Sequence, residues 1–246
     1  MSEEESLKEG FEMRRLFLIT TCFAFCFVFS CTKNKIAPPT DLGLDYFPLE
    51  TGLFKVYELD SIYYNDFTGK VDSFHFQVKE IVGEEFTDGA GGRRFRLERY
   101  YRRQITDSWR ISDVWSVAVN SSFASCIEEN INLVKLSFPA KSGREWNLNA
   151  FNAEVPAICR YEFVDSSKVR AGTTYTKVLR ATLGGDSSLI GKKISFEEYS
   201  RGIGLIYKRY LQVEDRDSVI DFSKPLDNRV DYGFDVTYTL IEHGKI

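Results

Sequence analysis

Hydrophobic and polar residues alternate along much of the chain, and a period of two is the pattern of half-buried β-strands. In the segment SFHFQVK, for example, Phe74 and Val78 fall on one face, whereas His75 and Gln77 fall on the other. Residues 93–103 alternate in the same way. The pattern therefore predicts strands, with His75 on a solvated face.

Ten segments have the length and composition of strands, and Gly, Asn, Asp or Pro separates most of them. We predict an all-β fold: a single antiparallel meander of about ten strands that forms a strongly curved sheet or an open barrel. Residues 124–130 are interpreted as one helical turn or a loop, and residues 143–151 as a turn-rich segment. Residues 202–210 carry apolar side chains on both faces, which predicts an internal strand. The predicted strands are residues 53–63, 71–86, 93–103, 109–120, 131–138, 160–164, 175–183, 194–199, 204–213 and 234–242.

The beginning of the chain follows a different pattern. Arg14 and Arg15 precede an almost wholly apolar run, residues 16–29, and Ser30 and Cys31 follow it. This order is typical of a bacterial secretion signal that ends at a lipid-modified cysteine. A transmembrane anchor is the alternative, but the run is shorter than the about 20 apolar residues of a membrane span. We therefore predict lipidation at Cys31.

The signal divides the chain into three parts. Residues 1–30 are interpreted as an acidic leader plus a lipoprotein signal peptide, with translation starting at Met13. Residues 31–45 contain two prolines and no periodic pattern, which predicts a flexible tether after the lipidated cysteine. Residues 46–246 are predicted to form a single β domain, because their length fits one β-rich core.

Charge and composition exclude one class of partner. The chain has a formal net charge of −4, so no electrostatic argument favours nucleic acid. Aromatic residues are abundant, with 20 Phe and 13 Tyr, and they favour strands over helices.

Two cysteines remain after the signal and the lipidation site are removed. In an oxidising compartment, Cys126 and Cys159 predict one disulfide, and two separate buried thiols are the alternative. His75 and His243 are the only histidines, and neither has a second histidine or a cysteine close by in sequence. The sequence therefore predicts no metal site and no cofactor.

No arrangement of residues predicts catalysis. A serine triad needs a histidine base, and both histidines are poorly placed for this role. Glu128 with Glu129, or Glu197 with Glu198, could act as paired carboxylates, but adjacent strand residues point to opposite faces. We interpret these acids as solvated and predict that the protein is not an enzyme. Six arginines within residues 93–103 are interpreted as a solvated face rather than a contact for anionic surfaces.

Several segments resemble a family of uncharacterised lipoproteins of Bacteroidetes. They are YFPLETG at the start of the domain, ENINLVKLSFP and REWNLNAFN in its middle, and YSRGIGLIYKRY towards its end. The resemblance spans most of the mature chain and implies a lipoprotein of the cell envelope, but it supplies no catalytic residues. The middle motif includes Trp146, Asn147, Asn149, Phe151 and Asn152.

The function favoured by these observations is a non-enzymatic binding or assembly module, anchored in the outer membrane and facing the periplasm. Its expected partners are the membrane, through the lipid anchor, and other envelope proteins or an apolar ligand. The alternative is a carrier of an apolar or amphipathic ligand in a barrel-like cavity. A carrier requires a pocket of several hundred Å³ between the residues expected to face inward, which are Phe74, Phe76, Phe95, Leu97 and Tyr207.

Overall fold

The computed structural model describes residues 40–217 and 219–246, and the predicted signal peptide and Cys31 lie outside them. The described residues form one antiparallel sheet of twelve strands. No helix in this part of the chain is long and apolar enough to cross a membrane. The strands are β1 (Leu53–Asn65), β2 (Lys70–Thr87), β3 (Arg93–Arg102), β4 (Arg110–Val119), β5 (Phe123–Glu128), β6 (Ile131–Ser137), β7 (Glu145–Asn147), β8 (Ile158–Arg170), β9 (Thr173–Ser187), β10 (Gly191–Ser200), β11 (Gly204–Glu214) and β12 (Tyr232–Lys245).

Strands that are neighbours in sequence are neighbours in the sheet, except at one position. β1 to β6 form one arm of the meander, β7 to β12 form the other, and pairing of β1 with β12 joins the two arms. The predicted all-β antiparallel meander is confirmed, and the sheet closes almost completely into a barrel. β11 lies between β10 and β12, which confirms the internal strand predicted at residues 202–210.

The predicted count of about ten strands is slightly low, because the sequence did not predict β5 and β7 as strands. In β5, Ala124, Ser125 and Cys126 are buried in succession, so the alternation that identifies a strand is absent. A register shift in the pairing with β6, between Ala124 and Ser125, accompanies this run. β7 has only three residues, too few to show a period.

Side-chain and backbone hydrogen bonds bring the edge strands β6 and β7 together. The Val134 amide donates to the Leu148 carbonyl at 2.8 Å, and the Trp146 indole donates to the Val134 carbonyl, also at 2.8 Å. The Asn152 side-chain amide donates to the Asn132 carbonyl at 2.9 Å. These contacts hold the seam of the barrel, and they give the predicted aromatic and asparagine motif a structural role.

The compact β unit begins at Asp41, within the segment predicted to be a flexible tether that ends at residue 45. Tyr46 is fully buried, and its hydroxyl donates to Asp165 at 2.8 Å. Arg201 pairs with Asp41 at 2.9 Å and with Asp45 and Asp165 at 2.8 Å each. The predicted tether therefore includes residues that are fixed to the barrel by ion pairs.

Candidate binding cavity

The barrel encloses a cavity of about 80 Å³. Nine of the twelve strands contribute to its wall, together with residues 47–49, so the cavity lies in the interior of the barrel. Its apolar wall contains Leu97, Trp115 and Val117. The charged residues that line it are Lys55, Glu80, Arg99, Glu128, Lys135, Glu197 and Lys208.

Several of these charges come from neighbouring strands in register. Lys55 of β1 lies opposite Glu80 of β2, Glu80 lies opposite Arg99 of β3, and Arg99 lies opposite Asp113 of β4. The guanidinium of Arg99 donates to Glu80 at 3.2 Å, lies 3.7 Å from Asp113, and stacks on the ring of Trp115 at 3.8 Å. Arg99 is thus held by two carboxylates and an aromatic face.

Lys135 connects the two arms of the sheet. Its ammonium lies 3.3 Å from Glu128 of β5 and 2.7 Å from Glu197 of β10. Glu197 is also 3.5 Å from Lys208, and it accepts a hydrogen bond from the Tyr199 hydroxyl at 2.5 Å. We call Glu128, Lys135, Glu197 and Lys208 the interior cluster.

The ion pair between Lys135 and Glu197 shifts the pKa values of both residues. Burial alone would raise the pKa of Glu197, but Lys135 and Lys208, with hydrogen bonds from Lys135 and Tyr199, lower it to about 2. Burial would likewise lower the pKa of Lys135, but Glu128 and Glu197 raise it. Lys135 and Glu197 are therefore both charged at neutral pH.

Lys55 has a different environment. Within residues 40–217 and 219–246, no carboxylate lies within 4.0 Å of its ammonium, which lies beside Gly204. Gly204 has a φ of +92°, and a Cβ at this position would lie 3.2 Å from the Lys55 ammonium nitrogen. Burial lowers the pKa of Lys55, although Glu80 and Cys126 oppose this shift. Lys55 is half-buried, and its ammonium has no direct counter-ion within the described residues.

A second buried charge cluster lies beside the first on the opposite face of β10. Glu198 is fully buried, and Arg170 of β8 and Arg180 of β9 each approach one of its oxygens at 2.7 Å. The two guanidinium groups stack on Tyr207 and Phe196, respectively, at 4.1 Å each. We call Glu198, Arg170 and Arg180 the outer cluster.

The interpretation of the paired glutamates as solvated is therefore wrong for three of the four. Glu128, Glu197 and Glu198 all pair with buried or half-buried cations, and only Glu129, in the turn after β5, is placed as expected. The prediction that adjacent acids face opposite sides holds for β10. Periodicity assigned each acid to a face, but it could not show that both faces of β10 are covered.

The two predicted disulfide cysteines are free thiols in the structure, and both are buried. Cys126 packs with Phe95 and Leu97, whereas Cys159 packs with Trp146 and other residues of a different core cluster. Burial raises the pKa of Cys126, and it raises the pKa of Cys159 to about 12. The structure therefore replaces the predicted disulfide with the alternative of two separate buried thiols.

The other residues singled out from the sequence are brought to no common site. His75 is exposed, and its Nδ1 lies 2.7 Å from Asp60, whose hydrogen bond raises the pKa of the imidazole. Phe95 and Leu97 are buried as expected, whereas Phe74, which shares a face of β2 with the buried Val78, is 55% exposed. Cys31 lies outside the described residues.

One group of carboxylates in the described part of the chain has the spacing of a metal site. Oxygen atoms of Asp215, Asp217 and Asp231 lie within 4.8 Å of one another. Asp215 also forms an ion pair with Arg229, and Asp231 accepts a hydrogen bond from the Arg216 amide. Two of the three carboxylates are thus already paired with arginine side-chain or backbone groups of the protein.

No protein-family model and no curated protein matches the chain. Among solved structures, the chain is similar to a "putative exported protein with YmcC-like fold" from Bacteroides fragilis. The two share 10% sequence identity with a TM-score of 0.40, and the match covers 81% of this chain and 98% of that chain. A likeness this distant transfers no function, so a function must follow from the residues of this chain.

Proposed function

We propose that the protein is an exported lipoprotein of the outer membrane, anchored through Cys31 and facing the periplasm, whose β domain is a non-enzymatic binding or assembly module. The observation that carries this proposal is the order of Arg14 and Arg15, the apolar residues 16–29, and Ser30 before Cys31. Acyl chains on Cys31 would hold the protein at the membrane, because each buried methylene contributes about 0.8 kcal/mol.

The volume of the cavity favours binding of a small molecule over transport of a large ligand. Ligand pockets for drug-sized molecules measure about 300–1,000 Å³, whereas this cavity measures about 80 Å³. Ion pairs such as Lys135 with Glu197 occupy the middle of the barrel. A long-chain amphiphile would have to displace them, which makes the carrier the less favoured alternative.

Replacement of Cys31 tests the anchor. In Cys31→Ser cells, we expect the protein to lose incorporation of radiolabelled palmitate and to leave the membrane fraction or remain unprocessed, because the thiol is the acceptor of the lipid. Cys26→Ser is the matched control, since Cys26 lies in the same apolar segment, and it should be labelled like wild type. Normal labelling and membrane retention of Cys31→Ser would contradict the proposal.

Mass spectrometry tests the carrier alternative. Organic extracts of the purified full-length protein should contain no stoichiometric long-chain amphiphile beyond the covalently attached lipid. Recovery of one such molecule per chain would favour the carrier over the binding module.

A further inference from the structure

One of the cations that line the cavity has no carboxylate partner. The four lining cations are Lys55, Arg99, Lys135 and Lys208. Arg99 contacts Glu80, and the other two lysines contact members of the interior cluster. Lys55 is the exception, because its ammonium lies within 4.0 Å of no carboxylate in the described part of the chain.

We propose that the cavity is a binding site for a small carboxylate, with Lys55 as the residue that holds the carboxylate group. This inference rests on the proposed binding function and names its ligand class. An unpaired charge that is partly removed from water is costly, and a bound monoanion would supply the missing counter-charge through a charge-assisted hydrogen bond.

The walls and the volume restrict the rest of the ligand. Leu97, Val117 and Leu205 offer apolar surface near the charged groups, which suits a short hydrocarbon better than a hydrated inorganic ion. Because one water occupies about 30 Å³, a cavity of about 80 Å³ has room for roughly two to three waters, or for a carboxylate of two or three carbons. Acetate and propionate fit this description, and octanoate does not.

The cavity communicates with solvent at its charged side. The side chain of Lys208 keeps 32% of its surface exposed, and that of Glu128 keeps 20%. Lys208 and Glu128 thus line the cavity and also contact solvent, and we expect a small anion to enter on this side.

Calorimetric titration of the full-length protein tests the proposal. We expect acetate or propionate to bind, and Lys55→Met to weaken that binding at least tenfold, because methionine keeps the length of the side chain and removes its charge. Lys70→Met removes an exposed lysine at the start of β2 and should bind like wild type. Propionamide, which has the same size and no charge, should not bind.

Three results would overturn the proposal. They are equal binding by Lys55→Met and wild type, no binding of either carboxylate to wild type, and displacement of propionate by an equal concentration of chloride. The last result would identify a general anion site instead of a carboxylate site.

Leu97→Ala provides a second measurement that does not depend on Lys55. Leu97 is buried in the apolar wall, so its truncation enlarges the cavity. The ratio of butyrate to propionate affinity should rise several-fold relative to wild type, and an unchanged ratio would place the hydrocarbon elsewhere.

The anchor and the ligand site can fail separately. Cys31→Ser should bind propionate as wild type does, even when it is lost from membranes. Loss of propionate binding in Lys55→Met with normal anchoring would support the ligand site alone, whereas normal anchoring with no carboxylate binding in any variant would leave the lipoprotein proposal standing and reject the ligand.

Discussion

Glu197 and Glu198 are the same residue type at successive positions of β10, yet they are buried in different ways. Glu197 faces the cavity and pairs with lysines, one of which, Lys135, comes from β6 in the other arm of the sheet. Glu198 faces the opposite side and pairs with Arg170 and Arg180, whose side chains keep 24% and 22% exposure. Lys135 keeps only 11% of its side chain exposed, so it is more enclosed than either arginine of the outer cluster.

From this difference we expect the identity and exposure of the partners to decide how much each buried carboxylate contributes to the free energy of unfolding. Lysine is a point charge that loses its hydration when enclosed, whereas arginine is weakly hydrated and stacks on aromatic rings. Removing Lys135 leaves the carboxylates of Glu128 and Glu197, which keep only 20% and 15% of their side chains exposed. Removing Glu198 leaves two arginines that still contact solvent and aromatic faces. The three substitutions below measure this contrast.

The largest effect is expected for Lys135→Met. The ammonium of Lys135 pairs with both Glu128 and Glu197, so its loss leaves Glu197 with Lys208 alone and Glu128 without a cation within 4.0 Å among the described residues. Breaking a buried pair by removing one partner costs about 3–5 kcal/mol. Urea unfolding at pH 7, followed by tryptophan fluorescence, should show a loss of this size in the free energy of unfolding.

Lys193→Met removes an exposed lysine from β10 and should stay within about 0.5 kcal/mol of wild type. The double variant Lys135→Met with Glu197→Gln should recover part of the loss, because it removes one of the unpaired carboxylates. If Lys135→Met unfolds within about 1 kcal/mol of wild type, the cluster is not a stabilising link between the arms.

An effect of intermediate size is expected for Glu197→Gln on the pH dependence of stability. The pKa of Glu197 is about 2 in the folded protein, against 4.5 for an ordinary glutamate. A lowered carboxylate pKa stabilises the fold above pH 4.5, and this contribution of about 3 kcal/mol is lost as the pH falls towards 2. Wild type should therefore lose more stability than Glu197→Gln between pH 5 and pH 2, as measured by guanidinium unfolding.

Glu84→Gln is the control for this experiment, because Glu84 is exposed on β2. Between pH 5 and pH 2, Glu84→Gln should lose as much free energy of unfolding as wild type does. If wild type and Glu197→Gln lose the same free energy of unfolding over this pH range, Lys135 and Lys208 do not hold Glu197 in its ionised form.

The smallest effect is expected for Glu198→Gln. Each arginine loses one charged partner but keeps an aromatic neighbour and part of its exposure, so the cost should be that of unsatisfied hydrogen bonds, about 1–3 kcal/mol. Urea unfolding at pH 7 measures this loss in the free energy of unfolding, and the same experiment on Lys135→Met gives the value for comparison. An equal or larger loss for Glu198→Gln would show that exposure of the partners does not explain the contrast.

The fold could be predicted from sequence because most strands show one of two patterns. Alternation identified β2 and β3, and it correctly placed Phe95, Leu97 and Arg99 on one face. The interruption by Pro139 matched the end of β6 at Ser137. β5 was missed because consecutive small residues are all buried there, and alternation exists only where one face of a strand is solvated.

The cavity could not be predicted in the same way. Periodicity shows that Lys135 and Glu197 lie on strands, but their contact crosses the barrel between strands that are not neighbours in the sheet. A polar residue in a strand is usually assigned to solvent, and only closure of the sheet turns some of these positions inward. In the sequence, Arg99 was the one indication of an inward-facing charge, since it shares a face of β3 with the hydrophobic Phe95 and Leu97.

The pairing of β1 with β12 has a consequence for the order of events during synthesis. β1 meets β2 early, but its second edge stays open until residues 232–245 have been made. An open edge of this kind is prone to pair with other chains, and contacts that are distant in sequence form slowly. Until β12 arrives, the two arms of the meander are not paired through the sheet. Pairing with β12 therefore covers the open edge of β1 and joins the two arms. We expect the interior charges to become enclosed only at this late step.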